Sequence, residues 1–262
     1  DREGRLDFEA FRKLFNERTK LVVMSHASNV SGTVLDAEAA GKICKQKGVY
    51  FALDAAQSAG VIDIDFEKFS LSALCITGHK GLLGPQGIGA LLLTPKIAAE
   101  MEPLICGGTG SASNLITMPE FMPDKFEAGT LNLPGIIGLN AALRYIEERT
   151  PAEIRKHELE LAAQFIDGLQ SDTNIRIVGM RGRENRVGTV SLDFLEEDNA
   201  DIAYRLDAEY GIMTRCGLHC APLAHQTFGT FPQGTVRFAF GYQNTREDVN
   251  YALKAIHEMV RK

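Results

Sequence analysis

The first half of the chain alternates short apolar runs with segments in which apolar residues recur at helical spacing. The runs predict buried strands at 21–24, 49–53, 74–77 and 88–93. The periodic segments predict helices at 6–15, 37–46 and 133–148. Strands interleaved with helices are typical of a mostly parallel α/β sheet with helices on both faces.

The pattern changes near residue 149. Pro151 suits the first turn of a new helix, with Thr150 as its cap. The segments that follow predict helices from 151 to about 170, at 200–210 and at 246–260, and strands at 175–178, 187–192 and 235–240. We therefore predict a large domain, 1–148, and a smaller α+β C-terminal domain, 149–262.

Composition narrows the possible partners. The 262 residues are 45% hydrophobic and carry a formal net charge of −6, which gives no electrostatic support for a nucleic-acid or anionic-membrane partner. The apolar runs are too short to cross a bilayer. Five scattered cysteines form no disulfide framework, and free thiols fit a reducing compartment. We expect a cytoplasmic protein without nucleic-acid or membrane partners.

Two polar segments follow predicted strands, at the carboxyl ends where ligands bind in open α/β sheets. Asn29 could hydrogen-bond a ligand oxygen, although turns rich in Ser, Asn and Gly are ordinary. Asp54 directly follows an apolar strand, where a carboxylate could pair with a cationic ring nitrogen. It could equally cap a helix.

A third segment, Thr77–Gly87, places Lys80 in a loop of small residues after a strand. A lysine buried there would have a lowered pKa and could form a Schiff base, whereas most lysines are solvated surface charges. Thr77 and His79 are donors suited to a phosphate. The segment is not a P-loop, because it lacks the required glycine spacing and a following Ser or Thr.

A fourth segment, Arg215–Pro222, reads RCGLHCAP. Its Cys220 is flanked by His219 and lies near Arg215, which makes it a candidate nucleophile. Two cysteines and a histidine also raise the possibility of zinc. No second ligand pair is apparent, so we predict no metal site and expect Cys216 to be an inert, buried cysteine.

Together these segments resemble the class V aminotransferase and cysteine desulfurase family over essentially the whole chain. The most specific parts are Leu53–Gly60, Thr77–Gly87 and Phe126–Asn132, the last of which looks like the family's FEAGT signature. The resemblance implies a fold-type I pyridoxal 5′-phosphate (PLP) transferase. It also implies a likeness to the second group of desulfurases around Cys220, because the cysteine loop connects to the Arg237 strand by a short segment.

The resemblance also assigns roles to the candidate residues. It implies a covalent link between the PLP aldehyde and Lys80, with the other cofactor contacts made by Asp54 (ring nitrogen), Gln57 (ring hydroxyl), Thr77 and His79 (phosphate), Asn29, and Thr130 (phosphate of the neighbouring subunit in a homodimer). Asn29 and Arg237, with Arg215 close by, would hold the substrate carboxylate.

The implied reaction converts L-cysteine to L-alanine and leaves a persulfide on Cys220, for delivery to a sulfur-acceptor protein. His219 or His79 would carry protons. Another class V enzyme, such as an aminotransferase, a selenocysteine lyase or a β-lyase, would keep Lys80 and Asp54. A catalytically inactive fragment or scaffold subunit is the alternative from a different class.

Three departures from the family pattern bear on these roles. Leu218 stands where better-known members carry a second histidine, and Cys216 is additional. Family members also carry an N-terminal stretch that stacks on the pyridine ring and cradles the phosphate. We therefore expect an N-terminally shortened chain that, alone, binds PLP weakly or not at all.

Overall fold

The computed structural model of the chain describes residues 1–260. Its first sheet has the order β1 (Leu21–Ser25), β2 (Tyr50–Asp54), β3 (Ala73–Thr77) and β4 (Gly89–Leu93). β1, β2 and β3 are parallel, and β4 runs antiparallel to β3. The prediction of a mostly parallel sheet interleaved with helices is confirmed.

Four helices accompany this sheet: α1 (Phe8–Lys13), α2 (Ala37–Lys47), α3 (Pro95–Glu100) and α4 (Leu133–Arg149), with a 3₁₀ turn at Asp124–Phe126. α2 begins where the Asp36 side chain accepts a hydrogen bond from Ala39 N and ends at Gly48, whose φ of 68° is left-handed. α3 was not predicted, because its sequence PKIAAE has only one large apolar residue, Ile97, and so shows no helical spacing.

The second sheet has the order β5 (Ile175–Val178), β6 (Thr189–Phe194), β8 (Thr235–Ala239) and β7 (Arg215–Gly217), and all of its pairs are antiparallel. Its helices are α5 (Pro151–Gly168), α6 (Asn199–Tyr210), α7 (Pro222–Phe228) and α8 (Arg246–Val260). The predicted start of α5 is confirmed, since the Thr150 hydroxyl accepts a hydrogen bond from Glu153 N at 3.3 Å.

Each sheet packs against its helices in a separate apolar core. The strand predicted at 187–192 was misplaced by two residues at its start and begins at Thr189. The reason is that Val187 N donates instead to the Gly32 carbonyl, at 2.8 Å, in the turn after β1. Within residues 1–260, no helix has the length and apolarity needed to cross a membrane.

Candidate active site

The carboxyl ends of β1, β2 and β3 lie at one edge of the first sheet. Ser25 pairs with Asp54, and Asp54 pairs with Cys75 in the next strand. Backbone hydrogen bonds continue past the strand ends, from His26 N to the Asp54 carbonyl (2.8 Å) and from Ala55 N to the Cys75 carbonyl (2.9 Å). The three candidate segments therefore leave the sheet side by side.

Asp54 is half-buried at this edge. Its Oδ1 accepts a hydrogen bond from Ala56 N at 2.9 Å, so the carboxylate shapes the turn that follows β2. Gln57, also half-buried, lies in that turn. The turn-forming role and a ligand-binding role are compatible, because a carboxylate has further lone pairs to offer.

The turn after β3 carries Thr77, His79 and Lys80. A hydrogen bond of 3.1 Å joins Thr77 Oγ1 and His79 Nδ1, and Leu83 N donates to the Lys80 carbonyl at 2.8 Å. The expectation of a buried lysine is wrong for this chain: Lys80 is exposed, because it lies in the turn beyond the strand and not within the sheet.

Glycines bring the second and third segments into backbone contact. Gly60 has a φ of +90°, and a Cβ added there would lie 2.1 Å from the Gly81 carbonyl oxygen. A Cβ added at Gly81 would lie 2.6 Å from the Ala59 carbonyl oxygen. Only glycine permits this approach. The two turns are therefore fitted together at the edge where Asp54 and Lys80 lie.

The second sheet contributes the arginines and the cysteine. Asn29 Nδ2 donates to the His219 carbonyl at 2.5 Å, and Arg237 Nη1 donates to the Asn29 carbonyl at 2.9 Å. Arg215 Nη2 lies 3.9 Å from the Cys220 sulfur. The structure thus brings Asn29 together with His219 and Arg237, which lie 190 and 208 residues later in the chain.

Arg215 and Arg237 are cross-strand partners on β7 and β8. Burial lowers the pKa of Arg237, and the neighbouring charge of Arg215 lowers it further. Two guanidinium groups held this close favour an anion between them, and their planar forks suit a carboxylate.

Cys220 lies in a strained turn. Ala221 N donates to the Leu218 carbonyl at 2.8 Å, and the two central residues, His219 and Cys220, have φ values of 50° and 60°. Such left-handed turns usually carry Asn or Gly. Cys220 is exposed, whereas His219 is buried.

Burial lowers the pKa of His219 to about 4, and the charges of Arg237, His225 and Arg215 act in the same direction. A histidine with this pKa is poorly matched to proton transfer near neutral pH. His79 is exposed, and its Nδ1 lies within hydrogen-bond distance of Thr77 Oγ1. The proton-carrier role stays a prediction for both residues, and the low pKa of His219 argues against that residue.

Thr130 is exposed in the segment before α4. Asn132 Nδ2 donates to the Gly87 carbonyl at 3.1 Å, which ties this segment to the loop that carries Lys80. The role of Thr130 toward a neighbouring subunit stays a prediction. Across residues 1–260, no three His, Cys, Asp or Glu side chains are grouped to hold a metal ion.

Sequence reasoning missed several residues that build the site. These are the buried residues Thr235, His225 and Ser191. Thr235 hydrogen-bonds to His219 in the Cys220 turn, and His225 hydrogen-bonds to Thr230. Ser191 donates to the Val30 carbonyl in the turn that carries Asn29. The glycine at 60 could have been found, because it closes a turn directly after a strand. The buried hydroxyls carry no local pattern.

Comparison with known proteins identifies the family of the chain. The aminotransferase class-V family pattern matches residues 1–252. A probable cysteine desulfurase from Pyrococcus abyssi is 37% identical over 267 aligned residues, which cover 100% of this chain and 64% of that protein.

Two solved structures are also similar. The apo structure of a cysteine desulfurase from Thermococcus onnurineus superposes with a TM-score of 0.89 at 34% identity, covering 100% of this chain and 64% of that one. A cysteine desulfurase from Escherichia coli superposes with a TM-score of 0.87 at 28% identity, covering 97% and 62%. The chain thus spans slightly less than two-thirds of the length of these proteins. It belongs to the aminotransferase class-V family.

Proposed function

We propose that the complete protein is a PLP-dependent cysteine desulfurase, which converts L-cysteine to L-alanine and leaves the sulfur on Cys220. The observation that carries this proposal is the position of the Cys220 thiol, 3.9 Å from Arg215, in a turn hydrogen-bonded to Asn29. This position supports a role for Cys220 as a sulfur nucleophile next to a site for the substrate carboxylate. The names of the similar proteins support the same activity.

The family depends on PLP, and the residues at the sheet edge fit this cofactor. Asp54 offers a half-buried carboxylate, Thr77 and His79 offer a hydroxyl and an imidazole, and Lys80 offers an accessible amine. The Gly60–Gly81 contact holds the two turns that carry these groups against each other. Bound PLP supplies an electron sink for the bonds at the substrate Cα.

We assign Asp54 to the ring nitrogen, Gln57 to the ring hydroxyl, and Thr77, His79 and Thr130 to the phosphate. Lys80 would hold the cofactor at its aldehyde, and its amine would move a proton at the substrate Cα. Asn29 borders both the cofactor and the substrate carboxylate.

The arginines and the cysteine act on the substrate. Arg215 and Arg237 bind its carboxylate and so direct the substrate side chain toward Cys220. The Cys220 thiolate attacks the substrate sulfur. A sulfur–sulfur bond forms, the Cβ–sulfur bond breaks, and its electron pair passes to Cβ, which takes up a proton to give alanine. The persulfide then passes to an acceptor thiol.

The proposal also covers the oligomeric state, the location and the domain division of the enzyme. Large apolar side chains exposed before and along α4 support a homodimer, among them Leu104, Ile105, Ile116, Phe121 and Ile137. Free thiols at all five cysteines support a cytoplasmic location. We place the division between a PLP-binding domain and a cysteine-loop domain near 149, where α4 ends.

Product analysis of the complete protein with L-cysteine tests this function. We expect alanine in amounts equal to the sulfur transferred, no product from Lys80→Ala, and at least a hundredfold loss in Cys220→Ser. Cys106→Ser, which changes another exposed thiol, should keep full activity. Full sulfide release by Cys220→Ser would identify a β-lyase and refute the desulfurase proposal.

A further inference from the structure

Two buried histidine rings lie next to each other at the Cys220 turn. His219, in the turn, is 4% exposed, and His225, on α7, is 0% exposed. Their ring centroids are 5.6 Å apart. Their planes are tilted by 44°. Histidine is seldom buried without a specific partner, so such a pair next to a candidate nucleophile calls for a structural reason.

Each ring is anchored by a threonine hydroxyl. His219 Nε2 lies 3.0 Å from Thr235 Oγ1 on β8, and His225 Nδ1 lies 2.7 Å from Thr230 Oγ1 after α7. The second nitrogen of each ring is buried without a hydrogen-bond partner among residues 1–260. The backbone of Leu218, the first residue of the turn, lies near the His225 ring. It raises the pKa of His225, whereas burial lowers it.

The turn needs such support. Non-glycine residues in the left-handed region are strained and persist only where their surroundings determine their conformation. His219 and Cys220 are consecutive residues of this kind. Asn29 holds the turn from the first sheet, through the His219 carbonyl. On the buried side of the turn, the His219 ring packs against the His225 ring.

Charges around the pair favour neutral rings. Arg215 and Arg237 face His219 from β7 and β8, and burial together with these charges lowers its pKa to about 4. Burial also lowers the pKa of His225, although the charge of Asp193 on β6 acts in the opposite direction. Both rings are therefore uncharged near neutral pH, which allows them to pack against each other.

On the premise that Cys220 is the sulfur acceptor, we infer that His225 is a positioning residue for it. His225 packs beneath His219 and keeps the left-handed turn closed, which holds the thiol beside Arg215 and the carboxylate site. It touches neither substrate nor cofactor. Its loss therefore slows the sulfur-transfer step and leaves the binding of the substrate carboxylate almost unchanged.

Hydrogen–deuterium exchange of the complete protein tests the inference directly. In His225→Phe, which keeps the ring volume, the Ala221 amide that closes the turn should exchange at least tenfold faster. In His225→Asn the exchange should be about threefold faster, because the side-chain amide can still reach Thr230 but no ring packs against His219. Thr230→Val should give an intermediate effect, and Thr227→Val, on the exposed face of α7, should give none.

Steady-state kinetics supply the second measurement. We expect kcat to fall about tenfold in His225→Phe while KM for L-cysteine stays within twofold. Should Thr230→Val and His225→Asn both leave exchange and kcat at the parent values, the inference is overturned, even if His225→Phe fails to fold. If the parent makes no alanine yet the exchange pattern changes as stated, the positioning role stands and the desulfurase proposal fails.

Discussion

Glu158 is a half-buried carboxyl on α5 whose position costs stability. Burial raises its pKa to about 7, against the opposing charge of Arg155. The folded pKa lies above the unfolded value of 4.5, so the folded state binds the extra proton. Stability therefore falls as pH rises from about 4.5 to 7, and the whole cost is present above pH 7.

Glu158→Gln removes this ionisation. We expect it to raise the free energy of unfolding by up to about 3 kcal/mol at pH 8 and to leave it unchanged near pH 4. Urea unfolding at both pH values is the measurement, with the exposed Glu160→Gln as control. An equal effect of Glu158→Gln at pH 4 and pH 8 would contradict the assignment.

Gly60 and Gly48 separate steric contact from backbone strain. Both have left-handed φ values, +90° and +68°, but a Cβ at Gly60 would strike the Gly81 carbonyl whereas one at Gly48 would meet nothing within 4 Å. We expect Gly48→Ala to cost about 1 kcal/mol and Gly60→Ala about 3 kcal/mol or more. Gly60→Ala should also weaken PLP binding. Equal losses in denaturant unfolding would show that the two turns are not in backbone contact.

At the scale of elements, β6 clamps the turn that carries Asn29. Ser191, fully buried on β6, donates its hydroxyl proton to the Val30 carbonyl at 2.6 Å. A Cβ at Gly32 would lie 2.3 Å from the Thr189 carbonyl oxygen, so the strand and the turn are in direct contact. The clamp explains how a residue of the first sheet reaches the Cys220 loop of the second.

Ser191→Ala tests this clamp. Loss of the buried hydrogen bond should cost about 1 to 3 kcal/mol of stability. Because Asn29 borders the substrate carboxylate in the proposed function, KM for L-cysteine should also rise severalfold. Denaturant unfolding and steady-state kinetics measure the two effects, with the exposed Ser171→Ala as control. A stability loss with unchanged KM would mean that the clamp does not position Asn29.

Helices with sustained apolar periodicity were predictable, whereas the short elements β7, α3 and α7 were not. α4, α5 and α8 show many turns of apolar spacing, whereas β7 has three residues, α3 six and α7 seven. The polar residues at the carboxyl ends of β1, β2 and β3 were also predictable, because parallel strands bring those ends together. The support of the turn by Thr235 and His225 was not, because it depends on how β8 and α7 pack in three dimensions.

At the scale of the whole molecule, the candidate site lies where two separately packed sheets meet. Asp54 and Lys80 lie at the edge of the first sheet, and Arg237 and Cys220 belong to the second. Asn29 hydrogen-bonds both to Arg237 and to the His219 carbonyl in the Cys220 turn. In the proposed function, this arrangement couples cofactor chemistry on one unit to a thiol on the other. Relative movement of the units would separate the two halves of the reaction.

Peptide mass spectrometry after exposure of the complete, PLP-loaded protein to L-cysteine tests this coupling most directly. The account predicts one additional sulfur atom on the peptide that contains Cys220, and none on that peptide when Lys80 is replaced by Ala. Additional sulfur found on another cysteine, or found on Cys220 to the same extent in Lys80→Ala, would contradict it.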